Sequence, residues 1–166
     1  MSASPDPSSV PDLARASVRA FFAGAAVLAL TTVHHVYGAI HYGTPERYHA
    51  VGIAGAALAL MASGFILHRR GSGSGPSRAG FWLFWLTTGA VPVLLFGVVE
   101  GLYNHGVKVG LWAIEVPEAS LRRLFPDPTY EMPNDVVFEL TGILHVIPSA
   151  IAAIYLARMF KLRRGG

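Results

Sequence analysis

The sequence predicts an all-α integral membrane protein, an up-and-down four-helix bundle with both termini in the cytoplasm. Three observations carry this reading. The 166 residues are 52% hydrophobic and only 14% charged, where a soluble domain carries about a quarter charged residues. Apolar segments of similar length follow one another, each close to the roughly 20 residues that a spanning helix needs. Unopposed basic residues sit only on stretches that a four-helix bundle brings to one side.

Residues 1–14 are rich in Ser and Pro, carry Asp6 and Asp12 and lack periodicity, which predicts a disordered cytoplasmic tail. Arg15 and Arg19 then open the first apolar segment, about 17–41. That segment is too long for a signal-peptide core and predicts a retained anchor. The remaining segments fall at about 49–68, 80–104 and 136–158. A single transmembrane domain over 15–160 follows, with a basic cytoplasmic tail at 161–166.

Arg69, Arg70 and Arg78 flank the Gly71–Gly75 glycine–serine linker without an acid. The C-terminal end likewise carries Arg158, Lys161, Arg163 and Arg164 unopposed. The other two connections mix both signs. The positive-inside rule therefore places the linker and both termini in the cytoplasm. Aromatic residues suit the two interfaces: Phe81, Trp82, Phe84 and Trp85 inside, and Tyr37, Tyr42, Tyr48, Tyr103 and Trp112 outside. In the second segment Gly52, Ala56, Ala59 and Ser63 make a small-residue stripe. It predicts close helix packing, and a surface for a homo-oligomer. Pro92 and Pro148 interrupt the third and fourth segments, where each can free a carbonyl. In the long outer connection 106–134, Pro117–Phe125 predicts a short interfacial helix. Asn134 or Asp135 then caps the last helix.

The net charge of +3 is small and gives no nucleic-acid surface. There is no cysteine, which excludes disulfides, thiolate-bound metals and dithiol redox chemistry. Metal or proton chemistry therefore falls to the seven histidines and the carboxylates.

The ionisable residues of the apolar segments converge on the outer half. The first helix brings His34, His35 and His41, and His49 opens the second. The third delivers Glu100, Asn104 and His105, and the fourth Glu139 and His145. Only His68 lies at the cytoplasmic end, so no chain of ionisable groups crosses the bilayer and ion transport is disfavoured. At a rise of ~1.5 Å per residue, Glu100 and Glu139 lie roughly 6 Å inside the outer ends, with His34 and His145 deeper. Glu100 stands at the unfavourable end of its helix dipole and needs a partner such as His34, His41 or Lys108. On an α-helix Glu100, Asn104 and Lys108 share a face and His105 points elsewhere, toward the interface.

Imidazoles with carboxylates form the ligand set of zinc, copper or non-haem iron. The predicted ligands are His34, Glu100, Glu139 and His145, supported by His35, His41, Tyr103 and Asn104. A b-type haem between His34 or His35 and His145 is an alternative, since their depths match. A second alternative is a pocket for a small or lipid-like molecule, worked by acid–base chemistry at Glu100 under a lid formed by the outer loop. In a third, the polar residues are only interhelical hydrogen bonds of a structural or partner-binding subunit. No HExxH or paired ExxH pattern is present.

Overall fold

A computed structural model of the chain describes residues 9–70, 75–125 and 131–165, with no strand among them. The order is α1 (Ser9–Tyr42), a single 3₁₀ turn (Pro45–Arg47), α2 (Tyr48–Arg69) and α3 (Gly75–Thr88). A π-helical stretch (Gly89–Val107) continues α3 and leads into α4 (Lys108–Ala113); α5 (Glu118–Leu124), α6 (Val136–Leu144) and α7 (Val146–Gly165) follow. Four stretches are long and apolar enough to cross a membrane: Pro11–Tyr42, Pro45–Arg69, Gly75–Ala113 and Val136–Arg164. The first helix reaches back to Ser9, into the stretch read as tail; residues 1–8 lie outside the described residues, as do the linker residues 71–74.

Helix α1 packs against α2 and α7, α2 against α3, and the π-helical stretch against α6 and α7. The linker end is filled by rings and sulfur. Phe21 stacks on Phe65 at 4.9 Å, Phe84 closes the cluster, and Met61, Leu156 and Met159 fill the space beneath. The close approach of α2 to α3 uses Gly64 and Gly80. A Cβ at Gly64 would lie 2.5 Å from the Phe84 backbone nitrogen, and one at Gly80 2.5 Å from that of His68. The stripe Gly52, Ala56, Ala59 and Ser63 is not what packs α2 into the chain. Those residues are all exposed, while Ala50, Ala54, Ala57 and Met61 face the core.

Two helix irregularities position the polar end. Pro92 has no N–H and its ring collides with the carbonyl four residues earlier, so an α ladder cannot run through it. The helix shifts to i→i+5 bonding, a form that recurs at functional sites. Ser149 Oγ donates to the Pro92 carbonyl at 2.9 Å. The second irregularity is at His145, between α6 and α7. There the backbone tightens: His145 N donates to Gly142 O, three residues back. Pro148, which cannot donate to Leu144, follows directly. This break lets Glu139 and His145, six positions apart, both be buried on the inner side.

The connection between the third and fourth apolar stretches carries its own small cluster. Leu121 and Phe125 are buried against Leu111 and Val116. Pro117 precedes α5 in an extended conformation at its N-cap, one position before the one predicted for it. Asp135, not Asn134, caps α6 by accepting from Phe138 N at 2.8 Å. Pro126 and Pro128 lie outside the described residues.

Candidate metal centre

His34, His35 and Glu100 come together, with ligand atoms all within 4.8 Å of one another. Successive residues of α1 reach the same carboxylate, because His34 and His35 lie on either side of the line facing the π-helical stretch. Glu100 Oε1 is 3.6 Å from His34 Nε2 and 3.7 Å from His35 Nε2. A third imidazole approaches the same oxygen: His105 Nε2 is 3.5 Å away. These separations are too long for hydrogen bonds. They are close to the ligand-to-ligand edge of about 3.4 Å that tetrahedral bonds near 2.1 Å produce.

The proton inventory points the same way. With the Thr141 hydroxyl hydrogen assigned to the backbone carbonyls of Val137 and Phe138 at 2.8 and 3.0 Å, Oγ1 accepts from His34 Nδ1 at 3.0 Å. We therefore assign the lone pair of His34 to Nε2, facing the carboxylate. Two electron-rich atoms at this distance repel one another without a cation between them. His34 Nε2 and both ring nitrogens of His35 are buried with no hydrogen-bond partner among the described residues. Buried polar atoms of this kind are rare and mark a missing ion or water. Phe138 stacks on the His34 ring at 4.3 Å and fixes its plane. Asn104 Nδ2 donates to Glu100 Oε2 at 2.9 Å and orients the carboxylate from one helical turn away.

A buried charge network stands behind the cluster. His105 Nδ1 donates to Glu139 Oε2 at 2.7 Å, and Lys108 Nζ lies 2.9 Å from Glu139 Oε1. Lys108 is only 2% exposed and Glu139 only 6%. A buried carboxylate and ammonium persist when paired with each other. A carboxylate behind an imidazole is also the arrangement that orients metal-binding histidines.

The predicted residues divide accordingly. His34 and Glu100 are in the group, and His35 belongs to it as a full member rather than a support. Asn104 supports it. Glu139 is held by His105 and Lys108 and stands behind the site rather than in it. His145 is also outside: its Nδ1 donates to Gly142 O at 2.8 Å and its Nε2 accepts from Thr31 Oγ1 at 3.0 Å, which uses both nitrogens. His41 lies beside Asp135 at 3.1 Å and is half-exposed. Tyr103 turns away to donate to Leu124 O at 2.9 Å and rests on Phe125.

His105 is the main correction. Read as an α-helix, the sequence turns it away from Glu100. In the π-helix the wider turn brings the residue five positions on back toward the same side, so His105 joins Glu100 and is 2% exposed. The place for its ring is made by Gly142, where any Cβ would overlap it. Gly101 packs similarly close, since a Cβ there would lie 2.9 Å from His145 Cβ. Pro92 was the available signal for this change of phase. Lys108, foreseen only as a partner for Glu100, pairs instead with Glu139.

A cavity of about 140 Å³ adjoins the cluster, bounded by His35, Glu100, Asn104, His105, Lys108, Arg47 and Phe138, with Glu46 and His49 exposed at its rim. Arg47 is paired with Glu131 and its Nε donates to Thr44 Oγ1 at 2.8 Å. Comparison with protein-family models, curated proteins and solved structures gives no match.

Proposed function

We propose that the chain is a multi-pass membrane protein, a four-helix bundle with cytoplasmic termini, that binds one divalent transition-metal ion in its outer half. His34 Nε2, His35 Nε2 and Glu100 Oε1 are the ligands, and His105 closes the site beside Glu100. The observation that carries this reading is the set of buried nitrogens without partners around a single carboxylate oxygen at 3.6–3.7 Å. Two imidazoles and a carboxylate with open positions are the set used by zinc and by non-haem iron. A metal held there would adjoin the cavity through His35 and Glu100, where it could bind or activate a small molecule.

Haem is the weaker alternative. A bis-histidine haem needs a free nitrogen on His145, and both of its nitrogens are engaged within the chain. The His34 and His145 rings also stand edge to face at 5.6 Å with no slot for a macrocycle between them. The acid–base reading of Glu100 has less support than the metal reading, because the imidazoles beside it lie beyond hydrogen-bond distance.

Metal analysis of protein purified in detergent tests the proposal. The wild-type chain should carry about one zinc or iron per chain, and His34→Ala and Glu100→Gln should lose it while remaining folded. His145→Ala should keep it. Metal retained in both ligand variants, or a folded wild-type protein that takes up none, would overturn the assignment.

A further inference from the structure

We infer that the cavity beside the metal site is a site for a small oxyanion of the carboxylate type, bound between the metal ligands His35 and Glu100 and the ammonium of Lys108. The inference rests on the metal reading. It draws on the cavity's size, its hydrogen-bonding character and its charge.

Size sets the upper limit. The cavity is about 140 Å³. An engineered cavity of ~150 Å³ admits benzene, so this one takes about six heavy atoms.

The buried lining offers cationic and amide donors. Glu100 accepts from Asn104 and faces the proposed ion; Glu139, just behind the wall, accepts from His105 at Oε2 and is ion-paired with Lys108 at Oε1. Lys108 carries three N–H donors, and its Nζ lies 2.9 Å from Glu139 Oε1 as an ion pair. Asn104 has a second amide hydrogen beyond the one given to Glu100. Arg47 contributes a guanidinium already anchored on Thr44 and Glu131. A ligand that fits these partners supplies acceptor oxygens.

Charge agrees. A divalent ion with Lys108 and Arg47 outweighs Glu100, Glu139 and Glu131 by one positive charge. Glu46 lies exposed at the rim, where water solvates it. One monoanion balances the interior. Glycerol-like or larger neutral molecules neither balance it nor match its donors.

Cobalt(II) is the probe, because its visible spectrum reports a change of ligand directly. The full chain, loaded with cobalt in detergent, is titrated with formate and then with bicarbonate. A saturable spectral change is expected with each. The double substitution Lys108→Gln/Glu139→Gln removes the cation while keeping the wall neutral. Arg47→Gln/Glu131→Gln does the same on the other side, so one of the two suffices should the other not fold. Each should still take up cobalt, and the Lys108 double variant should bind formate about tenfold or more weakly, since a hydrogen bond from a charged donor is worth about 1.5–3 kcal/mol.

A cobalt-loaded wild-type protein whose spectrum neither anion changes overturns this inference and leaves the metal assignment standing. Formate binding at wild-type strength in every folded double variant also overturns it. Failure of the wild-type chain to take up cobalt overturns the metal reading and this inference with it.

Discussion

Lys108 and Glu139 show how individual residues hold this end of the molecule together. Both are buried, and Nζ lies 2.9 Å from Oε1. Neither group can be left without the other, because an uncompensated charge has no water to fall back on. Lys108→Met should therefore destabilise the protein by about 3–5 kcal/mol, and Lys108→Met/Glu139→Leu should recover most of the loss. Thermal unfolding in detergent, followed by circular dichroism, measures both; a single variant as stable as wild type would show that the pair is not buried as described. At the same scale, the sequence put Glu100, His34 and Asn104 on one side of the bundle, and the structure brings them together. It took His34 as a ligand and His35 only as a support, whereas both reach the same oxygen from adjacent positions. Nor did it reveal that Thr31 and Gly142 satisfy His145, since those contacts depend on the local break before Pro148.

Among the elements, the π-helical stretch Gly89–Val107 decides the composition of the site. Its small residues let it lie against α6 and α7: Gly97 opposite Ser149, Gly101 opposite His145, and the His105 ring over Gly142. A methyl at Gly142 must displace that ring. Gly142→Ala is expected to cost about 1–3 kcal/mol by overpacking and to reduce metal occupancy without touching a ligand. A variant with unchanged metal content and unchanged stability would contradict the packing. The change of phase from α to π is also why the sequence misplaced His105. Apolar periodicity fixes where a helix lies and which face is buried, but one added residue per hydrogen-bonded ring rotates everything beyond it. Pro92 announces an interruption without specifying which form it takes. The α2 stripe is a parallel case: small residues mark a face able to pack, and only the packed chain shows that Gly64 and Gly80 serve that purpose internally.

At the scale of the whole molecule, two ends of different chemistry emerge. The linker end is aromatic and basic: Arg163 lies over Phe81 at 4.1 Å, and Arg164 over Phe160 at 4.8 Å. The opposite end gathers His34, His35, Glu100, His105, Lys108 and Glu139. Composition and segment length suffice to read four long apolar helices from the sequence, since a membrane's thickness sets both. The proposed orientation is directly testable because the chain has no cysteine. A membrane-impermeant maleimide applied to intact cells should label Ala119→Cys and leave Ser72→Cys unlabelled until the membrane is opened. The reverse pattern would invert the bundle and place the metal site on the cytoplasmic side.

The central claim is a metal ion held by His34, His35 and Glu100, and X-ray absorption at the edge of the metal that copurifies with the chain tests it most directly. A first shell of nitrogen and oxygen at about 2.0–2.2 Å is expected, with the outer-shell scattering characteristic of imidazole and a loss of that signal in His34→Ala. A shell of oxygen alone, as for an ion attached to surface carboxylates, would contradict it.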